Sequence, residues 1–586
     1  MIKHFLHRRD QLTRPARRVT HVRAASCAVA AVTVVAVLAG CGGSTTSSGS
    51  TAIAAGGPAA SSNGANPKVD AEVTGCPTTG GTLTVDLDEQ VLPDLDPSYT
   101  PEAVAYRVIR GVFDSLVYEG ADGTFTPWLA TSWTVNSNST SYTFIIRKGV
   151  KFSDGTPLTA SAVKYTFDRI ESPAEGSLFA ISLLGPYAGS VVNSTYSVTV
   201  NFKTPYPEFL EAASQAFLGI VDPTVAQADG PAKFGANPVG SGPFIITSNV
   251  PNQSITEVRN PDYDWGPAGL NHQGPACLDK LVFTEVPEAS TRVGQLEKDE
   301  VDAAESILPP DYTAVHANKN LRLYVVPGAG ADYQYFINTA DAPWNNTQLR
   351  IALRDAINIP QVLQSVYQGE YTRAWGPIMP DTAFYDPAVE NSWSYDPKLS
   401  DAILTKAGWK LGSDGYRHKD GHTLSITFEG SSPDRELRQE VSVYIQSYLK
   451  AVGIDETITN PTATAAIAAE DTGSYGMTAT SFITASPSIL AYFFDSAGIP
   501  TAKTGGLDIS RVDSQQLDTW IADAESATST AAQTTYWDDI QTYVVKNAIT
   551  IPIELEPFIL ATTTAVQGLA FDRRDYPMYY GVWLTK

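Results

Sequence analysis

Residues able to do chemistry are few in this chain. Four cysteines are present, Cys27, Cys41, Cys76 and Cys277, with seven histidines. No GxSxG elbow, P-loop, HExxH helix or strand-linked GxGxxG occurs. Nucleophilic hydrolysis, phosphoryl transfer, zinc proteolysis and dinucleotide chemistry therefore lack their signatures. His418 and His422 have the spacing that sets two imidazoles on one helix face for a metal. Asp420-Gly421 between them reads instead as a hairpin turn, so a solvated loop is expected. The chain is expected to bind rather than catalyse, with no catalytic residue, no metal centre and no cofactor.

Cysteine usage depends on the first forty residues. Lys3, Arg8, Arg9, Arg14, Arg17, Arg18 and Arg23 precede an uncharged run, Ala24 to Ala39, shorter than the roughly 20 residues that span a bilayer. A basic region, a short apolar region and small residues at its end predict a secretory signal peptide over 1–40. The run closes on Leu38-Ala39-Gly40-Cys41, which resembles the lipobox of bacterial lipoproteins. That resemblance implies a diacylglycerol thioether on Cys41, palmitate-type acyl chains, and a lipid-anchored protein on the outer face of the cell membrane. Two acyl chains are what stable anchoring generally needs. Residues 41–75, rich in Gly, Ser, Ala and Thr, bury too little apolar surface to order themselves and read as a tether. As a flexible coil, 42–66 would span about 27 Å r.m.s.. The folded body then keeps Cys76 and Cys277, an even pair in an exported chain, which suggests a disulfide; two unrelated buried thiols are the alternative.

Charge narrows the partners. The first forty residues carry +6, which leaves −29 on the remainder of a chain at −23. Nucleic-acid binding rests on Lys and Arg neutralising phosphates, so no nucleic-acid partner is expected. A length of 586 residues exceeds one hydrophobic core and predicts two or more lobes, with 44 glycines and 38 prolines supplying many turns.

The elements alternate. Leu83, Val85 and Leu87 share one face of a predicted strand, as do Tyr142, Phe144 and Ile146, and Tyr196, Val198, Val200 and Phe202. After the Asp154-Gly155-Thr156-Pro157 turn, Thr159 can cap a helix carrying Val163, Phe167 and Ile170. Leu349, Leu353, Ala356 and Ile357 mark another helix. Ser432-Pro433 is expected to open one that carries Leu437, Val441, Ile445 and Leu449 and stops at Gly453. Interspersed strands and helices give an α/β or α+β class.

Pro127-Trp128-Leu129-Ala130-Thr131-Ser132-Trp133, followed by TSYTFIIRKGVKFSDGTPLTASAVKYTFDRI (140–170), resembles the signature of the family 5 extracellular solute-binding proteins, the oligopeptide and dipeptide receptors of ABC importers. Asn237 to Phe244, Arg259 to Tyr263, 349–358, Gly369 and Trp375-Gly376-Pro377 agree in order and spacing. The resemblance implies an α/β, two-lobed periplasmic-binding-protein-like fold of the class II type. Lobe I would comprise 77–326 plus 549–586, with an extra subdomain at about 100–235, and lobe II would comprise 327–548. Cys76 and Cys277 would each precede a strand of lobe I, GTLTVDL and KLVFTEV, which are expected to be neighbours; that adds support to the bridge.

The same resemblance implies a ligand. Family members hold peptides by backbone pairing and tolerate varied side chains. Many add an Asp for the ligand's ammonium, but Thr480 to Pro487 has no carboxylate, and a shifted alignment would offer Asp471 or Asp495 instead. Expected ligand contacts are Leu95, Asp96, Tyr118, Trp375, Phe482, Thr484 and Ser486. Some members take nickel or haem. The expected partners are a peptide or other small polar solute and the ABC permease subunits, for a monomeric receptor. The alternative is a non-transport lipoprotein that reuses the fold to regulate or scaffold envelope assembly.

Overall fold

The computed structural model describes residues 75–585, save 90–93, 101, 121, 173–176, 178, 269, 271, 431–433 and 502–505. The leader, Cys41, almost all of the tether and Ser432-Pro433 lie outside the described residues. No helix among those described is long and apolar enough to cross a membrane.

Strand formation follows the alternation. Leu83, Val85 and Leu87 are fully buried in the strand Thr82–Leu87, which pairs in parallel with Lys280–Glu285 on one side and Ala303–Glu305 on the other. Seven strands make this first sheet, in the order Leu321–Val326, Phe558–Thr563, Ala303–Glu305, Thr82–Leu87, Lys280–Glu285, Ser254–Arg259 and Phe244–Val250. Six make a second: Thr372–Arg373, Thr550–Leu555, Gly330–Ile337, Met477–Ile483, Ser425–Glu429 and Asp455–Thr459. Gly330–Ile337 is buried at every position, as a strand with neighbours on both edges and cover on both faces must be. The segment expected to form an extra subdomain holds its own antiparallel sheet, Ala130–Val135, Ser141–Ile146, Ser197–Phe202 and Tyr187–Ser194. The helix Ala160–Glu171 packs against that sheet. Its N-cap residue is Thr159, whose side chain makes no capping hydrogen bond.

Two segments pass between the large sheets, Pro327–Ala329 and Glu556-Pro557. The strand Thr550–Leu555 belongs to the second sheet, so the return to the first falls after Leu555 and not near Ile549. These crossings lie side by side: a Cβ on Gly328 would stand 2.3 Å from the Glu556 carbonyl oxygen. Gly330, at φ +117°, would set a Cβ 2.0 Å from the Phe482 carbonyl oxygen. Only glycine permits both the positive φ and that approach.

Cys76 and Cys277 are joined by a disulfide, 201 residues apart in sequence. It ties the approaches to the parallel strands Thr82–Leu87 and Lys280–Glu285, and Gly80 N–H donates to the Cys277 carbonyl at 2.8 Å. The expected bridge is present, between the expected neighbours. His418 and His422 sit in a hairpin with Asp420 and Gly421 at its turn.

Candidate functional site

A cavity of about 250 Å³ lies between the two sheets. Asp88 and Glu89 reach it from the C-terminal end of Thr82–Leu87, Arg107 from the helix Ala103–Ile109, and Ser481, Phe482 and Ile483 from the end of Met477–Ile483. Arg435 and Glu436 come from the turn before the helix Arg438–Ala451. Glu436 and Leu437 have φ of +46° and +60°, so the chain turns sharply there. The helix therefore starts five residues beyond Pro433, and the turn frees Arg435 and Glu436 to face the cavity.

The wall is ionic and self-paired. Arg107 Nη2 lies 2.8 Å from Asp88 Oδ1 and 2.8 Å from Glu305 Oε2. Arg435 Nη2 stands 3.1 Å from Glu89 Oε1, an ion pair from one lobe to the other. Arg438 bonds Glu436 at 3.0 Å, Glu556 at 2.9 Å and the Ser481 hydroxyl at 2.9 Å, with its guanidinium over the Tyr333 ring. Arg574 is held by Glu119 and Glu211. Burial pushes the Glu305 carboxyl up to about 8 even against Arg107, and it raises Glu436 against Arg438 and Arg435. Asp88 runs the other way: burial opposes its charge, but Arg107, Arg435 and the Ser306 hydroxyl hold it below the usual range. Buried charges in such a site persist only because each has a partner.

Three further contacts close the lobes on each other. Glu208 Oε2, from the first lobe, accepts hydrogen bonds from the Ser486 hydroxyl at 2.7 Å and the Ser488 hydroxyl at 2.5 Å. Phe179 and Phe482 face one another with ring centroids 5.5 Å apart. Arg573 donates to the Asp381 carbonyl at 2.6 Å.

The expected contacts divide. Phe482 lines the cavity; Thr484 is buried beside it, its N–H donating to the Ala329 carbonyl at 3.0 Å; Ser486 makes the bond to Glu208. Glu208 sets a carboxylate against the stretch Thr480 to Pro487 from across the cleft, bonded to Ser486 and Ser488 and outside the cavity lining. Asp471 and Asp495 do not line the cavity, and Asp495 caps the short turn that follows it. The other four expected contacts are engaged elsewhere. Leu95 is fully buried in the first core. Asp96 is fully buried too and takes both its carboxylate oxygens to Arg169, at 2.9 and 2.5 Å. Tyr118 packs on Trp128 and Met578. Trp375 lies beneath the Arg373 guanidinium at 3.5 Å and against Trp393. Sequence reading missed Arg107, Arg435, Glu436, Glu556 and Glu208. The one usable signal was the run of charge at Asp434 to Arg438, directly before an amphipathic helix.

Two lobes, each with its own sheet, are linked by two crossings and close around an ionic cavity. Residues 124–498 match the model of the bacterial extracellular solute-binding proteins, family 5, and the chain belongs to that family. It is a binding protein and not an enzyme. The glutathione-binding protein GsiB of Shigella flexneri is 27% identical over 368 residues, covering 62% of this chain and 67% of that one. Among solved structures, NikA from Brucella suis in complex with Fe(III)-EDTA superposes with a TM-score of 0.77 at 22% identity, covering 86% of this chain and all of that one. DppA from Helicobacter pylori in complex with the peptide STSA gives 0.72 at 22%, covering 87% and 99%. The fold is theirs: a mixed α/β, two-lobed binding protein.

Proposed function

We propose that this chain is the extracytoplasmic substrate-binding lipoprotein of an ABC transporter, which captures a peptide or similar extended polar solute between its lobes and delivers it to the permease. The observation that carries the reading is the cavity itself, walled by groups from both lobes and bridged by the Glu89–Arg435 pair. A solute that contacts both walls favours the closed arrangement by its differential affinity for it, and the two crossings are the hinge. The relatives' solutes, glutathione in one name and a peptide in another, fall within the same size range. Native mass spectrometry of protein purified gently from its host tests this. A small solute released on denaturation is the expected result. An empty cleft together with a co-purifying envelope protein overturns the transport reading in favour of a regulator or scaffold.

Anchoring makes a separate prediction. Cys41→Ala is expected to move the protein from the membrane fraction to the soluble fraction and to abolish metabolic labelling with a fatty acid. A Cys41→Ala chain that stays membrane-bound until detergent is added contradicts the lipobox reading.

A further inference from the structure

The cavity wall commits every guanidinium it presents. Of those that line it, Arg107 is bound by Asp88 and Glu305, Arg435 by Glu89 and Glu436, and Arg574 by Glu119 and Glu211; Arg438, behind the wall, is bound by Glu436 and Glu556. Seven carboxylates therefore stand on four guanidiniums. Arg292 and Arg573 are near, but both donate to main-chain carbonyls, and Asp86, Glu554 and Asp572 accompany them. Carboxyl groups outnumber guanidiniums in the wider count too, although burial raises Asp86, Glu119, Glu305 and Glu554.

An anionic ligand group entering here would add like charge, and it could gain a guanidinium only by breaking an existing buried pair, which strands a carboxylate. A cation meets the opposite situation. Glu89 is one-third exposed, and the three carboxylates Glu89, Glu436 and Glu556 share two counter-ions, Arg435 and Arg438. Phe179, Phe482 and Tyr371 supply aromatic surface beside these carboxylates, suited to an apolar body or to a cation over a ring.

Resting on the reading of the chain as a solute receptor, we propose that its ligand is a small organic cation or a basic peptide, whose positive group is held by Glu89, Glu436 and Glu556. Burial raises the Glu436 carboxyl, so a cation that binds it competes with its proton. Arg435 and Arg438 lower Glu436, while Glu556 and Asp88 raise it, and these are the charged groups that face it. Affinity for a cation therefore rises with pH.

Thermal-shift and calorimetric titrations of the full-length lipoprotein, at low salt and pH 7, decide the matter with two probe sets. The cationic set is Lys-Phe-Lys amide, Ala-Phe-Arg amide and spermidine; the other is Ala-Phe-Ala, Glu-Phe-Glu and citrate. Saturable stabilisation confined to the cationic set, tightening as pH rises, is expected. Glu89→Gln, at a one-third exposed position, should weaken the best cation by about tenfold, the lower end for one charge-assisted bond. Equal or tighter binding of any neutral or anionic probe overturns the cation proposal and leaves the receptor reading standing. Stabilisation by no probe of either set overturns the cation proposal, and native mass spectrometry of the purified protein then decides the receptor reading separately.

Discussion

Replacing Arg107 by alanine is expected to cost about 3–5 kcal/mol of stability at pH 8, the range for removing one partner of a buried pair. Its guanidinium is 5% exposed and holds Asp88 and the fully buried Glu305, and it also covers the rings of Phe558 and Tyr576. The loss must depend on pH, with a sign that both carboxylates set. Glu305 has its folded pKa raised, to about 8, so the stability tied to its protonated form is full below the unfolded value and declines as pH rises towards 8. Without Arg107 its pKa rises further, and the decline continues beyond pH 8 where the parent protein levels off. Asp88 has its folded pKa lowered, so its contribution exists above the unfolded value and disappears as pH falls. Both terms make the deficit largest at pH 8–9 and smallest near pH 4. Urea unfolding of ligand-free protein across that range measures it, and Arg107→Ala with Glu305→Gln should recover part of the loss. A deficit that does not change with pH would mean that lost packing, and not the ion pairs, is responsible.

Much of the fold is legible because one face of each strand must be apolar. Leu83, Val85 and Leu87, or Tyr142, Phe144 and Ile146, announce themselves by alternation, and each set is buried where alternation puts it. The lobe boundary is less legible. Thr550–Leu555 is buried at five of its six positions, and an apolar strand carries no mark of which sheet it joins. The start of the helix Arg438–Ala451 was misplaced for a local reason. Proline at an N-terminal position is a common opening, but Glu436 and Leu437 adopt left-handed φ values that sequence gives little reason to expect outside Gly, Asn or Asp.

The candidate site is legible only in part, because charged residues do not declare their partners. Asp96 follows the first strand at the height of the cleft, yet Arg169, 73 residues on, has taken both its oxygens. Arg107 sits in a helix buried at six of its seven positions, where a cation reads as an oddity until the fold brings Asp88 and Glu305 to it. The stretch around Phe482 and Ser486 was singled out by the family resemblance, and Phe482 lines the cavity. What that stretch lacks was read correctly as well, but Glu208, which meets it from the other lobe, lies 278 residues away from Ser486.

Removing the Cys76–Cys277 bridge is expected to cost about 2–4 kcal/mol, with the damage concentrated in the first lobe. In the chain-entropy model, a closed loop of 201 residues is worth about 5 kcal/mol, and measured values usually fall below the model. The bridge also closes the edge of a parallel pair, Thr82↔Lys280 onward, whose strands are distant in sequence and have no hairpin to hold their register. Around it, His272 lies 3.6 Å from Cys76 Sγ and packs on Tyr580, so both sulfurs are spent on one another inside a shell of first-lobe residues. Cys76→Ala with Cys277→Ala keeps that shell apolar and is the suitable variant, compared with the parent protein treated with a phosphine reductant. Two lobes need not unfold together, so a single midpoint would blur the effect. Hydrogen exchange resolves it: protection should fall in Thr82–Leu87 and Lys280–Glu285 while Gly330–Ile337, in the other sheet, keeps its own. Equal loss of protection in both sheets would show that the lobes unfold as one unit and that the bridge acts on the whole chain. Unchanged protection in the first sheet would show that the strands hold their register without it.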